Sequence, residues 1–214
     1  MIRTVLFDLD GTFADTAPDL ASAINGMREA RGLAALPLAS MRPVTSLGAR
    51  GLLGAGFGVD PDHPDYGSLR EEFLQRYERN ICRETRLFPG LSDLIEALES
   101  QGVRWGIVTN KSERLARALL HALEMTSRAA CVVGGDTTPH LKPHPEPLLA
   151  ACRLIGETAS ACLYVGDDLR DIQAARAAGM KAAAAKWGYL NGSEPSEWGA
   201  DCLLGHPLDL LNCL

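Results

Sequence analysis

No lysine occurs in the first 110 residues of this 214-residue chain, and no apolar run approaches the length of about 18 residues that a membrane span needs. Cations are in the minority throughout: 21 Lys and Arg against 27 Asp and Glu give a formal net charge of -6. That balance, with no basic stripe, argues against a nucleic-acid-binding surface, and a phosphorylated ligand would need a locally positive site. The six cysteines (Cys82, Cys131, Cys152, Cys162, Cys202, Cys213) form no CxxC pair and no His/Cys cluster at metal spacing. Cys131, Cys162 and Cys202 lie in apolar runs, where free buried thiols are expected. Arg3 is followed by no long apolar stretch before Asp8, so no secretory leader is expected, and a reducing cytoplasm is the expected compartment. The Gly-rich stretch SLGARGLLGAGFG (46–58) lacks the GK[ST] ending of a nucleotide-binding loop. Repeats, low-complexity tracts and Gly/Ser linkers are also missing.

What the chain does contain is a series of short apolar runs that end in polar or acidic residues: TVLFDLD (4–10), WGIVTN (105–110), CVVGGD (131–136), CLYVGDD (162–168) and DCLLG (201–205). Between them lie segments of helical period, LSDLIEALES (91–100), SERLARALLHAL (112–123), EPLLAACRLIG (146–156) and DIQAARAAG (171–179). Continuous apolar strands alternating with helices predict an α/β fold with a Rossmann-like parallel sheet covered on both faces. The segment KAAAAK (181–186) favours helix by composition, but its place between a helix end and Trp187-Gly188 suits a strand. Ser92 and Ser112 are expected to cap the helices they begin, with Gly102 and Gly179 just past helix ends.

Residues 16–87 break the alternation. They hold helical stretches, including one with Leu69, Phe73, Tyr77 and Ile81 four apart, but no strand-like run. An inserted all-helical subdomain is predicted there, with that stripe read as packing. The loop TTPHLKPHPEP (137–147) surrounds Lys142 with prolines, which stiffen the segment that presents it.

In sheets of this kind ligands sit outside the carboxyl ends of the strands. Asp8, Asp10, Thr109, Lys142, Asp167, Asp168 and Asp171 all fall at or just after such ends. Taken singly, each has a plain structural reading: Thr109 as a strand residue, Lys142 as a surface charge, Asp167 or Asp168 as a helix cap. Together they place several carboxylates on one sheet edge, where an ionised carboxylate costs several kcal/mol unless a cation, proton or donor compensates it. Such clusters suit Mg²⁺, which takes a few carboxylates plus water and phosphate oxygens. An aspartate beside a phosphoryl group can attack phosphorus when a metal and a lysine offset the repulsion between anions.

The ordered set FDLDGT, VTN, the lysine of LKP, and GDDLRD resembles the four signature motifs of the haloacid dehalogenase superfamily. The resemblance implies that fold, with residues 1–15 and 88–214 as the core domain and 16–87 as the helical cap. It implies Asp8 as the nucleophile that forms an aspartyl-phosphate, and Asp10 as general acid and then base on the hydrolytic water. Thr109 and the backbone around Asn110 would bind the transferring phosphoryl, and Lys142 would hold it against Asp8. Mg²⁺ would be held by Asp8, the Asp10 carbonyl and Asp167, with Asp168 and Asp171 as ligands or supports. Gly11 would permit the tight turn after the first strand and Thr12 would bond within it, both beside the substrate. The second aspartate sets the chain apart from the dehalogenases, and the lysine-free cap from the phosphonate hydrolases. Phe13 and Asp168 depart from the common pattern, Phe13 with an expected influence on the route to the cap.

WGIVTNK, LYVGDDLRDI and EWGADCLLGHPLDL are further similar to the phosphoglycolate phosphatase group, and to its subgroup acting on N-acetylmuramic acid 6-phosphate in cell-wall recycling. Both esters carry a carboxylate, for which Arg50 and Arg42, flanking the Gly-rich cap loop, are the candidate partners. The expected partner is thus a small phosphorylated metabolite, with neither nucleic acid nor membrane. His63, His140 and His144 read as loop residues. A phosphosugar mutase keeps both aspartates and stays open, as does a phospho-acceptor signalling domain, although its aspartate would follow a later strand.

Overall fold

The computed structural model describes residues 1–214. In chain order the elements are β1 (Thr4–Phe7), β2 (Ala14–Asp15), α1 (Ala17–Glu29), α2 (Leu38–Met41), α3 (Gly48–Phe57), α4 (Tyr66–Arg79), β3 (Arg86–Leu87) and α5 (Leu91–Ser100). They continue with β4 (Arg104–Val108), α6 (Glu113–Ala122), β5 (Val132–Val133), α7 (Glu146–Ile155), β6 (Cys162–Gly166), α8 (Leu169–Ala178), β7 (Lys181–Ala185) and β8 (Cys202–Leu204).

Six strands form one parallel sheet in the order β5-β4-β1-β6-β7-β8. Alternate residues of each strand feed two separate cores. Val5, Phe7, Leu163, Val165, Ala183 and Ala185 pack on one face, while Leu6, Cys162, Tyr164, Ala182 and Ala184 pack on the other. Burial on both faces is why the runs are continuously apolar, and why the alanine run of β7 is a strand despite its helical preference. From β1 the chain builds outward to β4 and β5, then crosses back to β6, β7 and β8. This reversal opens a crevice at the carboxyl end of β1, where ligands of such sheets bind.

The helical insert leaves and rejoins the sheet through a two-stranded antiparallel ribbon, with Ala14 opposite Leu87 and Asp15 opposite Arg86. Its helices pack around Leu20, Ile24, Met27, Leu52, Phe73 and Tyr77, and Leu115 of α6 joins this cluster from the sheet side. No helix is long and apolar enough to cross a membrane.

Three local expectations change. Gly90, at φ 85°, takes the position before α5, so Ser92 lies inside the first turn and caps nothing. A disulfide joins Cys202 to Cys213, so Cys202 is not a free thiol, whereas Cys131, Cys152 and Cys162 are free and buried. Phe13 does not face the route to the cap. It is fully buried in the sheet core, stacked on Trp105 with ring centroids 5.1 Å apart and edge-on to Phe7 at 5.7 Å. Phe13→Ala should therefore lower the free energy of unfolding by about 3–5 kcal/mol, read from the urea midpoint.

Candidate active site

The turn after β1 brings Asp8 and Asp10 to the crevice, and only glycine fits at the position that follows them. Gly11 has φ +88°, and a Cβ there would collide with the carboxylate of Asp167. Thr12 is turned away from its own turn: its Oγ1 donates to Asp167 Oδ1 at 2.7 Å. The backbone N–H of Tyr189 donates to Asp167 Oδ2 at 2.8 Å. Asp167 thus lies fully buried beneath the crevice.

Lys142 is the central cation. Its Nζ is 2.9 Å from Asp8 Oδ1 and 2.8 Å from Asp171 Oδ1. It also donates to the Tyr164 hydroxyl at 2.7 Å and the Val108 carbonyl at 3.2 Å. The stiffened loop delivers this lysine, and Asn110 fixes it from the side. The Asn110 amide accepts from Lys142 N at 2.9 Å and donates to Lys142 O at 3.1 Å. The side chain of Asn110 therefore serves the lysine, leaving only its backbone for a ligand. Thr109 is buried, and its Oγ1 accepts from Lys111 N at 3.2 Å.

Ligand oxygens of Asp8, Asp167 and Asp171 lie within 4.8 Å of one another. Asp8 Oδ1 is buried and has no aligned hydrogen-bond donor, the nearby ammonium being off its bonding direction. Three converging carboxylates, one with an unsatisfied buried oxygen, fit a hard divalent cation. Burial, then the charges of Asp8 and Asp171, hold the Asp167 carboxyl well above the usual carboxylate range. Asp171 is pushed up to about 6 by burial, with Lys142 opposing and Asp8 adding to the rise.

Asp168 stands outside this group. It caps α8, accepting from Arg170 N at 2.9 Å, and its two oxygens take the Arg170 guanidinium at 2.8 and 2.9 Å. Burial works to raise its pKa, but the hydrogen bonds from Arg170 prevail and hold it below the usual value. Asp171 completes the capping box through Asp168 N at 3.1 Å. Asp168 is therefore a helix cap with its charge already partnered, in place of a metal ligand.

Asp10 turns its carboxylate from the three-acid group toward Lys111, whose Nζ is 2.8 and 3.1 Å from the two oxygens. Thr16 Oγ1 adds a 2.6 Å bond to Asp10 Oδ1. Lys111 was not singled out by the sequence, though it directly follows the strand-end VTN and is the first lysine in the chain. Above Asp8, Asp10, Lys111 and Lys142 is a cavity of about 540 Å³, closed on the cap side by Arg50, Tyr66, Arg70, Phe73 and Tyr77. Arg50 lines it with no ion-pair partner. Arg42 does not line it, because both its terminal nitrogens are bonded to Asp15, at 2.8 and 2.9 Å. The three loop histidines also lie off this wall.

Residues 5–185 match the family described as haloacid dehalogenase-like hydrolase. The chain belongs to that family. Among the relatives of this hydrolase is the phosphoglycolate phosphatase of Xanthomonas campestris pv. campestris, 48% identical over 209 residues, 97% of this chain and 94% of the relative. The N-acetylmuramic acid 6-phosphate phosphatase of Pseudomonas aeruginosa is 42% identical over 214 residues, 100% of this chain and 95% of the relative. A crystal structure from Haemophilus somnus, described as a predicted phosphoglycolate phosphatase, superposes with a TM-score of 0.88 at 27% identity, covering 99% of this chain and 97% of that one.

The acid cluster has a measurable consequence. Asp171 ionises less readily folded than unfolded, so its contribution to stability is complete below the unfolded carboxyl pKa of about 4. That contribution is lost as pH rises through about 6. A cation must displace the protons that burial retains, so Mg²⁺ should raise the thermal midpoint more at about pH 8 than at about pH 5. An equal rise at both would mean that the acids are already ionised before the cation arrives.

Proposed function

We propose that this hydrolase is a Mg²⁺-dependent phosphomonoesterase that works through an aspartyl-phosphate on Asp8. The observation that carries the reading is the pairing of Asp8 with Lys142 at 2.9 Å on the floor of a cavity that a phosphate ester can enter. Asp8 attacks phosphorus, and Lys142 and Thr109 take up charge on the transferring group. Asp10, on the opposite side, protonates the leaving oxygen and then removes a proton from the water that cleaves the acyl phosphate. Asp8, Asp167 and Asp171, with the Asp10 carbonyl, would hold Mg²⁺, which supplies electrostatic relief between nucleophile and phosphate. Residues 16–87 would act as the cap, excluding bulk water while the covalent intermediate forms.

The substrate we propose is a phosphate ester with a carboxylate, either N-acetylmuramic acid 6-phosphate or 2-phosphoglycolate. Both names occur among relatives more than 40% identical to this chain, and Arg50 supplies a free guanidinium on the cap wall. A cavity of about 540 Å³ is in the range that buries ligands of sugar size, which favours the muramate ester over a two-carbon acid. We infer a cytoplasmic site of action for an enzyme of such metabolites.

Two measurements test this. Asp8→Asn should abolish release of inorganic phosphate from both esters while leaving the thermal midpoint within a few degrees of the parent. Chelation of Mg²⁺ should abolish phosphate release reversibly. Phosphate turnover by Asp8→Asn at the parent rate would refute the mechanism, and transfer of the phosphoryl group with no free phosphate would identify a mutase.

A further inference from the structure

We propose that Lys111 of the core and Tyr77 of cap helix α4 together form the subsite that binds the carboxylate of the substrate. The inference deepens the phosphatase reading and rests on it. Lys111 is almost wholly buried, its side chain only 8% exposed. Its ammonium has three N–H donors and makes aligned hydrogen bonds to two acceptors, the oxygens of Asp10, with the Tyr77 hydroxyl close by but not in an aligned bond. The Tyr77 ring covers it, with the centroid 4.5 Å from Nζ. The Tyr77 hydroxyl is buried with no hydrogen-bond partner. Both side chains line the cavity. A spare ammonium donor and an orphaned hydroxyl on one wall amount to a vacant acceptor site, since a buried donor left unpaired is costly.

On the cap wall Arg50 and Arg70 line the cavity without an ion-pair partner, away from Asp10, while the cations nearer the sheet are committed. Lys142 is enclosed by Asp8, Asp171, Tyr164 and the Val108 carbonyl. Arg114 pairs with Glu78 and Arg170 with Asp168. Position then selects the ligand group. Lys111 holds Asp10, the residue on the leaving-group side, so whatever reaches it belongs to the leaving group and not to the transferring phosphoryl. A carboxylate can take a donor from each of Lys111 and Tyr77. The ammonium then lies between that carboxylate and Asp10 and offsets both negative charges. Burial pushes the Tyr77 hydroxyl up to about 12, so it remains a donor throughout the working pH range.

Tyr77→Phe is the primary test, because it keeps the ring and its stacking on Phe73 and removes only the hydroxyl. We would measure kcat and KM with Mg²⁺ on N-acetylmuramic acid 6-phosphate and 2-phosphoglycolate, and on two counterparts without a carboxylate, N-acetylglucosamine 6-phosphate and ethyl phosphate. The variant should lose about tenfold or more in kcat/KM on the preferred acid, mainly through KM, and stay within about twofold on its neutral counterpart. Lys111→Met should slow both classes, through Asp10, but penalise the acid by a further factor of about ten. Equal losses on acid and neutral esters in both variants would overturn the subsite and leave Lys111 as a partner of Asp10 alone. Parent enzyme that cleaves acid and neutral esters equally would also overturn it, with the phosphatase reading intact. Parent enzyme that cleaves none of the four would refute the phosphatase reading itself, and this inference with it.

Discussion

One buried ammonium balances the acidic heart of the molecule. Asp8, Asp167 and Asp171 converge from the ends of two adjacent strands and the start of one helix, and Lys142 touches two of them. Carboxylates so far from water are tolerable only with such a partner, and one lysine does not neutralise three acids. The remainder is met by protons, which is why Asp167 and Asp171 are held up, or by a divalent cation. Much of the surrounding structure serves to place that lysine. The proline-bounded loop presents it, Asn110 grips its backbone on both sides, and Tyr164, buried in the sheet core, accepts from it.

A second lysine divides the labour. Lys142 attends Asp8 in the three-acid group, whereas Lys111 attends Asp10 and is screened by a cap aromatic ring. The two motif aspartates lie two residues apart in sequence, yet they face different cations and different chemistry. Lys111 and Thr16 hold the Asp10 carboxylate, while the positive φ of Gly11 lets the turn pass against Asp167. Asp10 also shares Thr16 with the hydroxyl of Tyr189, which in turn accepts from Thr16 N and Ala17 N at 2.8 Å each. Asp10 is thus tied to the first turn of the helical insert.

The sheet was legible because each strand is a continuous apolar run that stops at a polar residue, a pattern imposed by burial on both faces. The insert was legible from the change of period alone. What sequence could not supply were pairings between distant residues. Arg42 and Arg50 flank the same loop and look alike, but Arg42 reaches back to Asp15 at the ribbon while Arg50 faces the cavity. Asp168 carries the same charge as its neighbour Asp167, and only the position of Arg170 shows that it is spent on the helix cap. Lys111 drew no attention in the sequence because nothing local reveals the burial that α4 imposes from more than thirty residues upstream. Ser92 was displaced as a cap by a glycine whose positive φ cannot be read from its letter.

The two-stranded ribbon has a meaning beyond its small size. Ala14 faces Leu87 and Asp15 faces Arg86, so the chain departs into the insert and returns from it at neighbouring positions, about 4.8 Å apart. A segment whose ends meet in this way makes no geometric demand on the sheet it interrupts. Any polypeptide with similarly adjacent ends could be spliced at that junction without disturbing the parallel strand order. Asp8, Asp10 and Lys142 would stay in place while the roof above them changed. The architecture therefore separates the acidic cluster at the strand ends from the helical surface that roofs it, and the ribbon is the seam along which one roof can be exchanged for another.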